Sequence, residues 1–251
     1  MTQSPIRLTS GTVIAMGAMA GITCMAWMHN VHMATTMLSP LSIPVSTSSD
    51  WSVADLVFNF GMWTVMMIGM MLPSVTPWVW TLSGWRQRRS INSLCLATSF
   101  LAGYLTCWTG FSALATLFQE FLRQSSIMTD TLMISDSYMA GSILAIAGIY
   151  QLTPLRARCL KHCRSPLSFF MSAWKPGNTG AFNMGAVHGL YCISCCWALM
   201  MLSFVTGVMN LIWMAAITLY ILVDHAFSVG IWPSRISGAL LIVSAVWVLG
   251  F

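Results

Sequence analysis

The densest collection of metal-binding side chains lies in residues 188–201, HGLYCISCCWALMM. It holds three of the eight cysteines, one of the five histidines and two of the twenty-one methionines. With a helical period of about 3.6 residues, His188, Cys192 and Cys195 fall on one narrow stripe, with Met184 just before it and Cys196 at its edge. Thiolates, an imidazole and thioethers on one face are the donors that a soft metal ion needs. Cysteine is also a small apolar residue common where helices pack closely, and one alone would signify no more than that. Three within five residues, one turn after a histidine, point to a metal site.

Other groups could join it. Met62, Met66 and Met70 recur at i+4, as do Met67 and Met71. Thioethers hold Cu(I) weakly one at a time and better as sets, although a methionine-rich helix also serves as adaptable packing. Gly61 and Gly69 would let another helix approach this stripe. Met25, His29, His32 and Met33 can share one helical face, a mixed set suited to copper capture in an oxidising compartment or to an ordinary polar cap. CLKHCR (159–164) places Cys159, His162 and Cys163 within about one turn, among cations that favour thiolates, although zinc sites usually need four ligands. Asp224 is the only acid well inside an expected span. It is either a functional group or the ion-pair partner of a loop arginine. His225 points about 100° away from it on a helix, so the two should serve different partners.

These residues must be held by membrane helices. The chain of 251 residues is 57% hydrophobic and 7% charged, far from the roughly one-quarter charged residues of soluble domains. Lipid permits only helices or closed barrels, and the apolar stretches here are continuous rather than alternating. The expected fold is an all-α polytopic bundle in one domain. It has about seven spans, near residues 9–28, 55–80, 93–118, 137–155, 184–206, 210–229 and 235–250. The first, preceded by Arg7, is read as retained rather than cleaved. Pro73 and Pro77 should kink the second.

Positive charge alternates along the connections: Arg86, Arg88 and Arg89, then Arg156, Arg158, Lys161, Arg164 and Lys175, then Arg235. His29–Trp51, an expected external loop, has no lysine or arginine, and residues 119–136 carry Glu120, Asp130 and Asp136 against Arg123. The bias of lysine and arginine puts the N terminus in the cytoplasm and the C terminus outside, with a tight external turn at 207–210. The formal charge of +5 therefore speaks of topology, not of nucleic-acid binding. By helical rise, His188 lies roughly 6 Å and Cys192 roughly 12 Å from the inner end of its span, with Asp224 and His225 roughly 6–8 Å from theirs and Met70 near the depth of Cys192. Depth allows these groups to meet; it does not show that they do.

There is no Gly-rich phosphate loop, HExxH, G-x-S-x-G, CxxCH or P-type phosphorylation motif, so ATP-driven transport by this chain alone is not expected, and a binding role is favoured over an enzymatic one.

The segments MWTVMMIGMMLP, YQLTPLRARCLKHCRSPLSFF (150–170), GAVHGLYCISCCWALM (185–200) and GVMNLIW (207–213) resemble a bacterial family of predicted metal-binding integral membrane proteins of unknown function. The likeness covers the second to sixth spans, with the motifs in the same order and at matching intervals. By position it carries over Met66, Met67, Met70, Met71, Pro73, Cys159, Cys163, His188, Cys192, Cys195, Cys196 and Met209. Ser194 stands where the family usually has glycine, and Asp224–His225 where it usually has an acid followed by lysine. The resemblance implies a multi-pass protein of the bacterial inner membrane with a metal role.

Three functions are compatible with these residues. The first is binding and transfer of a soft metal through Cys, His and Met groups. Cu(I) is the favoured ion and zinc the alternative, with the lipid bilayer and a metallochaperone or membrane-complex subunits as partners. The second is a non-catalytic accessory or assembly subunit of a larger membrane metalloenzyme. The third is thiol redox, ranked last because adjacent cysteines form only a strained disulfide.

Overall fold

In lipid every backbone N–H and C=O must find a partner within the protein, so long apolar stretches become helices. The computed structural model describes residues 10–37, 53–86, 93–129, 132–226 and 230–250. Their elements are α1 (Ser10–Met37), α2 (Val53–Arg86), α3 (Ser93–Gln124), α4 (Ser137–Leu152), α5 (Pro154–Cys163), α6 (Pro166–Ser172), α7 (Gly177–Thr206), α8 (Leu211–Ala226) and α9 (Trp232–Gly250). An isolated bridge between Met128 and Ile134 is the sole β pairing among the described residues.

Five of these helices, α1, α2, α3, α7 and α9, are long and apolar enough to cross a membrane. A sixth span results if α4 and α5 are one interrupted crossing. The expected span 137–155 is broken because Pro154 lacks an N–H and its ring clashes with the preceding turn. Thr153 serves both sides of the break. Its N–H donates to Tyr150 O and ends α4, and its side-chain oxygen accepts from Arg156 N at 3.4 Å to start α5. The two axes differ by 67°. The expected sixth span is the 16-residue α8, shorter than the roughly 20 residues a full crossing takes. Helix α1 continues to Met37, so Met25, His29, His32 and Met33 stand on one helix, and the stretch expected as an external loop from His29 is helical as far as Met37. The segment has no glycine or proline to stop it before Pro40. Residues Arg7, 38–52, Arg88 and Arg89 lie outside the described residues, as does Asp130.

Helix α2 runs through Pro73 and Pro77 without a break. Pro73 cannot donate to Gly69 O four residues earlier, and the Trp27 indole N–H of α1 supplies that bond instead at 3.1 Å. Met62, Met66, Met67, Met70 and Met71 are all buried, together with Trp63. At the far end, Gly207 adopts φ 93° and turns the chain from α7 into α8, and the Asn210 side-chain oxygen caps α8 by accepting from Trp213 N at 3.3 Å. The turn is sealed by Ile134 N donating to Phe204 O at 2.9 Å and Val208 N to Leu132 O at 3.3 Å.

Helices α3 and α7 touch backbone to backbone. A Cβ built on Gly185 would lie 1.9 Å from Phe100 O, and one on Gly103 would lie 2.1 Å from Phe182 O. Ala181, Gly185 and Gly189 form the small-xxx-small row on α7 that permits this approach. Because the opposing atoms are backbone, they cannot rotate away. Gly185→Ala is expected to force the pair apart and cost on the order of 3 kcal/mol, the upper part of the overpacking range. Thermal unfolding in detergent measures it, and an unchanged midpoint would refute this packing.

Candidate metal centre

Spacing along α7 puts Cys192, Cys195 and Cys196 at i, i+3 and i+4, on one face of the helix. That face points into the bundle, and all three thiols are buried. The last turn of α8 brings His225 to them from a second helix. Its Nε2 stands 3.5 Å from Cys195 Sγ and 3.8 Å from Cys196 Sγ, and the two sulfurs are 3.3 Å apart. The donor atoms of Cys192, Cys195, Cys196 and His225 all lie within 4.8 Å of one another. Among the described residues this is the one group of three or more Cys, His, Asp and Glu side chains close enough to share a metal ion.

A third helix adds a fourth thiol. The bend at Thr153 swings α5 so that its last residue, Cys163, places Sγ 3.7 Å from Cys195 Sγ. The final carbonyls of a helix lack intrahelical partners, and that of Cys163 accepts the Trp78 indole N–H of α2 at 3.1 Å. The same indole stacks on His188, with ring centroids 3.7 Å apart. His188 is buried in an aromatic stack that continues to Tyr104 and Phe100, with centroids at 5.4 and 6.1 Å, and its nitrogens fall outside the four-residue donor group. Tyr104 in turn places its hydroxyl 3.4 Å from Cys192 Sγ and donates to Met71 O at 3.3 Å.

Asp224 faces away from the thiols, as its position next to His225 requires. Its Oδ2 accepts from Arg156 Nη2 at 2.8 Å and its Oδ1 from Arg164 Nη2 at 2.7 Å. Arg164 Nε donates to Asp224 O at 2.6 Å, and Arg156 Nη1 donates to Ser234 Oγ. Both arginines come from α5 or its C-cap, so this network ties the end of α8 to the helix that carries Cys163. His225 is the next residue after Asp224 on α8. Burying two cations near one anion costs solvation, and the pairing repays only part of it, since Arg156 Nε is buried without a hydrogen-bond partner.

The remaining sequence candidates are dispersed. Cys159 is half-buried against the core one turn before Cys163. His162 lies exposed and stacks on Tyr191 at 4.5 Å. Met66 and Met70 are fully enclosed in the core shared with the cysteines. On α1, Met25, His29 and His32 are exposed and Met33 is half-buried, so this face does not turn toward the buried thiols. Sequence reasoning did not single out Trp78 or Tyr104. The signal available for both was a hydrogen-bonding aromatic ring well inside an apolar span, where its polar atom must find a partner.

No curated protein and no solved structure is detectably similar to the chain. The model of the PpoB2 family, described as copper chaperone, matches residues 60–248, and the chain belongs to that family.

Proposed function

We propose that this member of the copper chaperone family binds Cu(I) at Cys192, Cys195, Cys196 and His225 and hands it on by thiolate exchange through Cys163. The observation that carries this reading is the convergence of three buried thiols and one half-buried imidazole, from two helices, within 4.8 Å. Thiolate and imidazole suit Cu(I), and the donor set contains no carboxylate or other hard oxygen ligand that would favour other ions. A Cys₃His set also matches structural zinc. The copper description of the family favours copper over zinc, and the buried methionines agree with it, since zinc sites draw on Cys, His, Asp and Glu.

The spacing of the sulfurs supports transfer. An ion held by Cys195 has Cys163 Sγ as its next neighbour, 3.7 Å away on a different helix. A metal that moves one ligand at a time passes from the α7 thiols to the end of α5 without ever being free. Met66 and Met70 line the same core and would take part as weak, exchangeable ligands, while His29 and His32 would collect copper at the far end of α1. Cys159 continues the exchange path one turn before Cys163. Asp224 acts by holding His225 in place. With the N terminus cytoplasmic, as the loop charges direct, α5 and the end of α8 bring Cys163 and His225 to the thiols from the cytoplasmic side of a bacterial inner-membrane bundle of seven spans. The recipient is then a metallochaperone or a subunit of a membrane complex.

Metal analysis of the full chain purified in its native lipids tests this. About one copper per chain is expected, with X-ray absorption reporting Cu(I) in a sulfur-dominated shell. The triple variant Cys192→Ser/Cys195→Ser/Cys196→Ser should lose it. Protein that is metal-free without chelators, protein loaded with zinc alone, or a triple variant that keeps its copper would each defeat the proposal.

A further inference from the structure

A cavity of about 540 Å³ opens where α4 bends into α5, with the start of α9 as its other wall. Its volume lies in the range of about 300–1,000 Å³ typical of small-molecule sites. Three cations line it, Lys161, Arg164 and Arg235, and no carboxylate does. Gln151 lines it too. That side chain is 2% exposed, and neither its amide oxygen nor its amide nitrogen has a hydrogen-bond partner. An amide buried unpaired is costly, and a ligand with hydrogen-bonding oxygens would relieve it. The remaining lining is divided by polarity. Thr153 and Ser165 add hydroxyls, while Leu152, Leu160 and Ile231 form an apolar side.

The cations are held in place. Arg164 is fixed by Asp224 and by donating to Gly230 O at 2.8 Å. Arg235 lies over the Trp232 ring, 5.8 Å from its centroid, an aromatic–basic pairing usual at the membrane–water boundary. Basic pockets between membrane helices on the cytoplasmic side recognise phosphate-bearing head groups.

We propose that the cavity at the α4–α5 bend is a binding site for a phosphate-bearing anion, recognised by Lys161, Arg164, Arg235 and Gln151. A phospholipid would lay its head group against the cations and its chain along Leu152, Leu160 and Ile231. A free phosphate would use the cations alone. The site is separate from the thiols, yet it shares Arg164 with the network that holds Asp224, next to His225.

The test uses the full chain, delipidated in mild detergent, with phosphatidylglycerol and inorganic phosphate as separate probes. Native mass spectrometry and thermal stabilisation read binding. Lys161→Gln/Arg235→Gln removes two cations and leaves Arg164, and therefore the Asp224 network, intact. Saturable one-to-one binding of phosphatidylglycerol, roughly thirtyfold weaker in the double variant, is expected from the loss of two interfacial charges. The same pattern with inorganic phosphate also upholds the site and identifies a free anion as its ligand. Gln151→Leu, which keeps every charge, should weaken binding as well and guards against a misfolded double variant; an unchanged size-exclusion profile and helical circular dichroism show that each variant is intact. Absence of saturable binding by either probe, or binding equal in wild type and both variants, overturns the proposal.

Discussion

Cys195→Ser is expected to lower Cu(I) affinity at least about 100-fold, beyond the 10–100-fold typical of groups that merely support a metal ligand. The reason is its central place. Cys195 Sγ is 3.3 Å from Cys196 Sγ, 3.5 Å from His225 Nε2 and 3.7 Å from Cys163 Sγ, so it touches every other element of the site. Serine is nearly isosteric, so the helices should stay packed while a hard hydroxyl replaces a soft thiolate. Cys163→Ser removes the sulfur outside the four-donor group and should cost about tenfold or less in affinity, but slow release to an acceptor. Competition against a chromophoric Cu(I) chelator gives the affinities, and stopped-flow transfer to that chelator gives the rates. Equal affinity losses at 163 and 195 would contradict a division between holding and handing on. A Cys195→Ser protein within threefold of wild type would remove Cu(I) binding by this cluster altogether.

The local half of this site was legible in the residues themselves. Cys192, Cys195 and Cys196 share a face because helical spacing fixes them, whatever the rest of the chain does. The opposite orientations of Asp224 and His225 follow from the same rule. The all-helical character followed from composition, since apolar stretches without alternation leave lipid-embedded backbone no other way to pair. What joins separate helices was not legible. Nothing in CLKHCR indicates that Cys163 rather than Cys159 faces Cys195, because that depends on the 67° bend at Thr153 and on the register set by Trp78 holding the Cys163 carbonyl. His188 lies on the cysteine stripe by spacing, yet its ring enters an aromatic stack with Trp78, a residue 110 positions earlier in sequence and invisible to any periodicity. Asp224 carried two readings from sequence, and its partners, Arg156 and Arg164, could be chosen from a basic segment only once α5 had a direction. The continuation of α1 past His29 to Met37 was legible only in part: Met25, His29, His32 and Met33 read as one helical face, while the lack of lysine and arginine from His29 to Trp51 reads as an external loop. Helix propensity there was adequate, and no breaker stood in the way.

Asp224→Asn should be the most destabilising single change in the basic network. The Arg156 side chain is 1% exposed, and with the carboxylate gone its guanidinium would remain buried against a neutral amide. Removing one member of a buried ion pair costs about 3–5 kcal/mol, since the surviving charge is left uncompensated. At about 2–4 °C per kcal/mol for a chain of this size, the unfolding midpoint should fall on the order of 10 °C. Arg164→Gln should cost less, because that side chain is 14% exposed and water compensates part of the loss. The double replacement Arg156→Met/Asp224→Leu separates charge from packing. Well-packed apolar substitutes for a buried pair are often neutral or better, so it should recover much of the stability that Asp224→Asn loses. It should not recover copper affinity to the same degree. Arg164 would then have lost its carboxylate, and of the network's bonds to the end of α8 that presents His225 to the thiols, that from Arg164 Nε to the residue 224 backbone carbonyl would remain. Stability restored without affinity would identify the network as the positioning device for His225. Affinity restored in step with stability would reduce it to a structural brace.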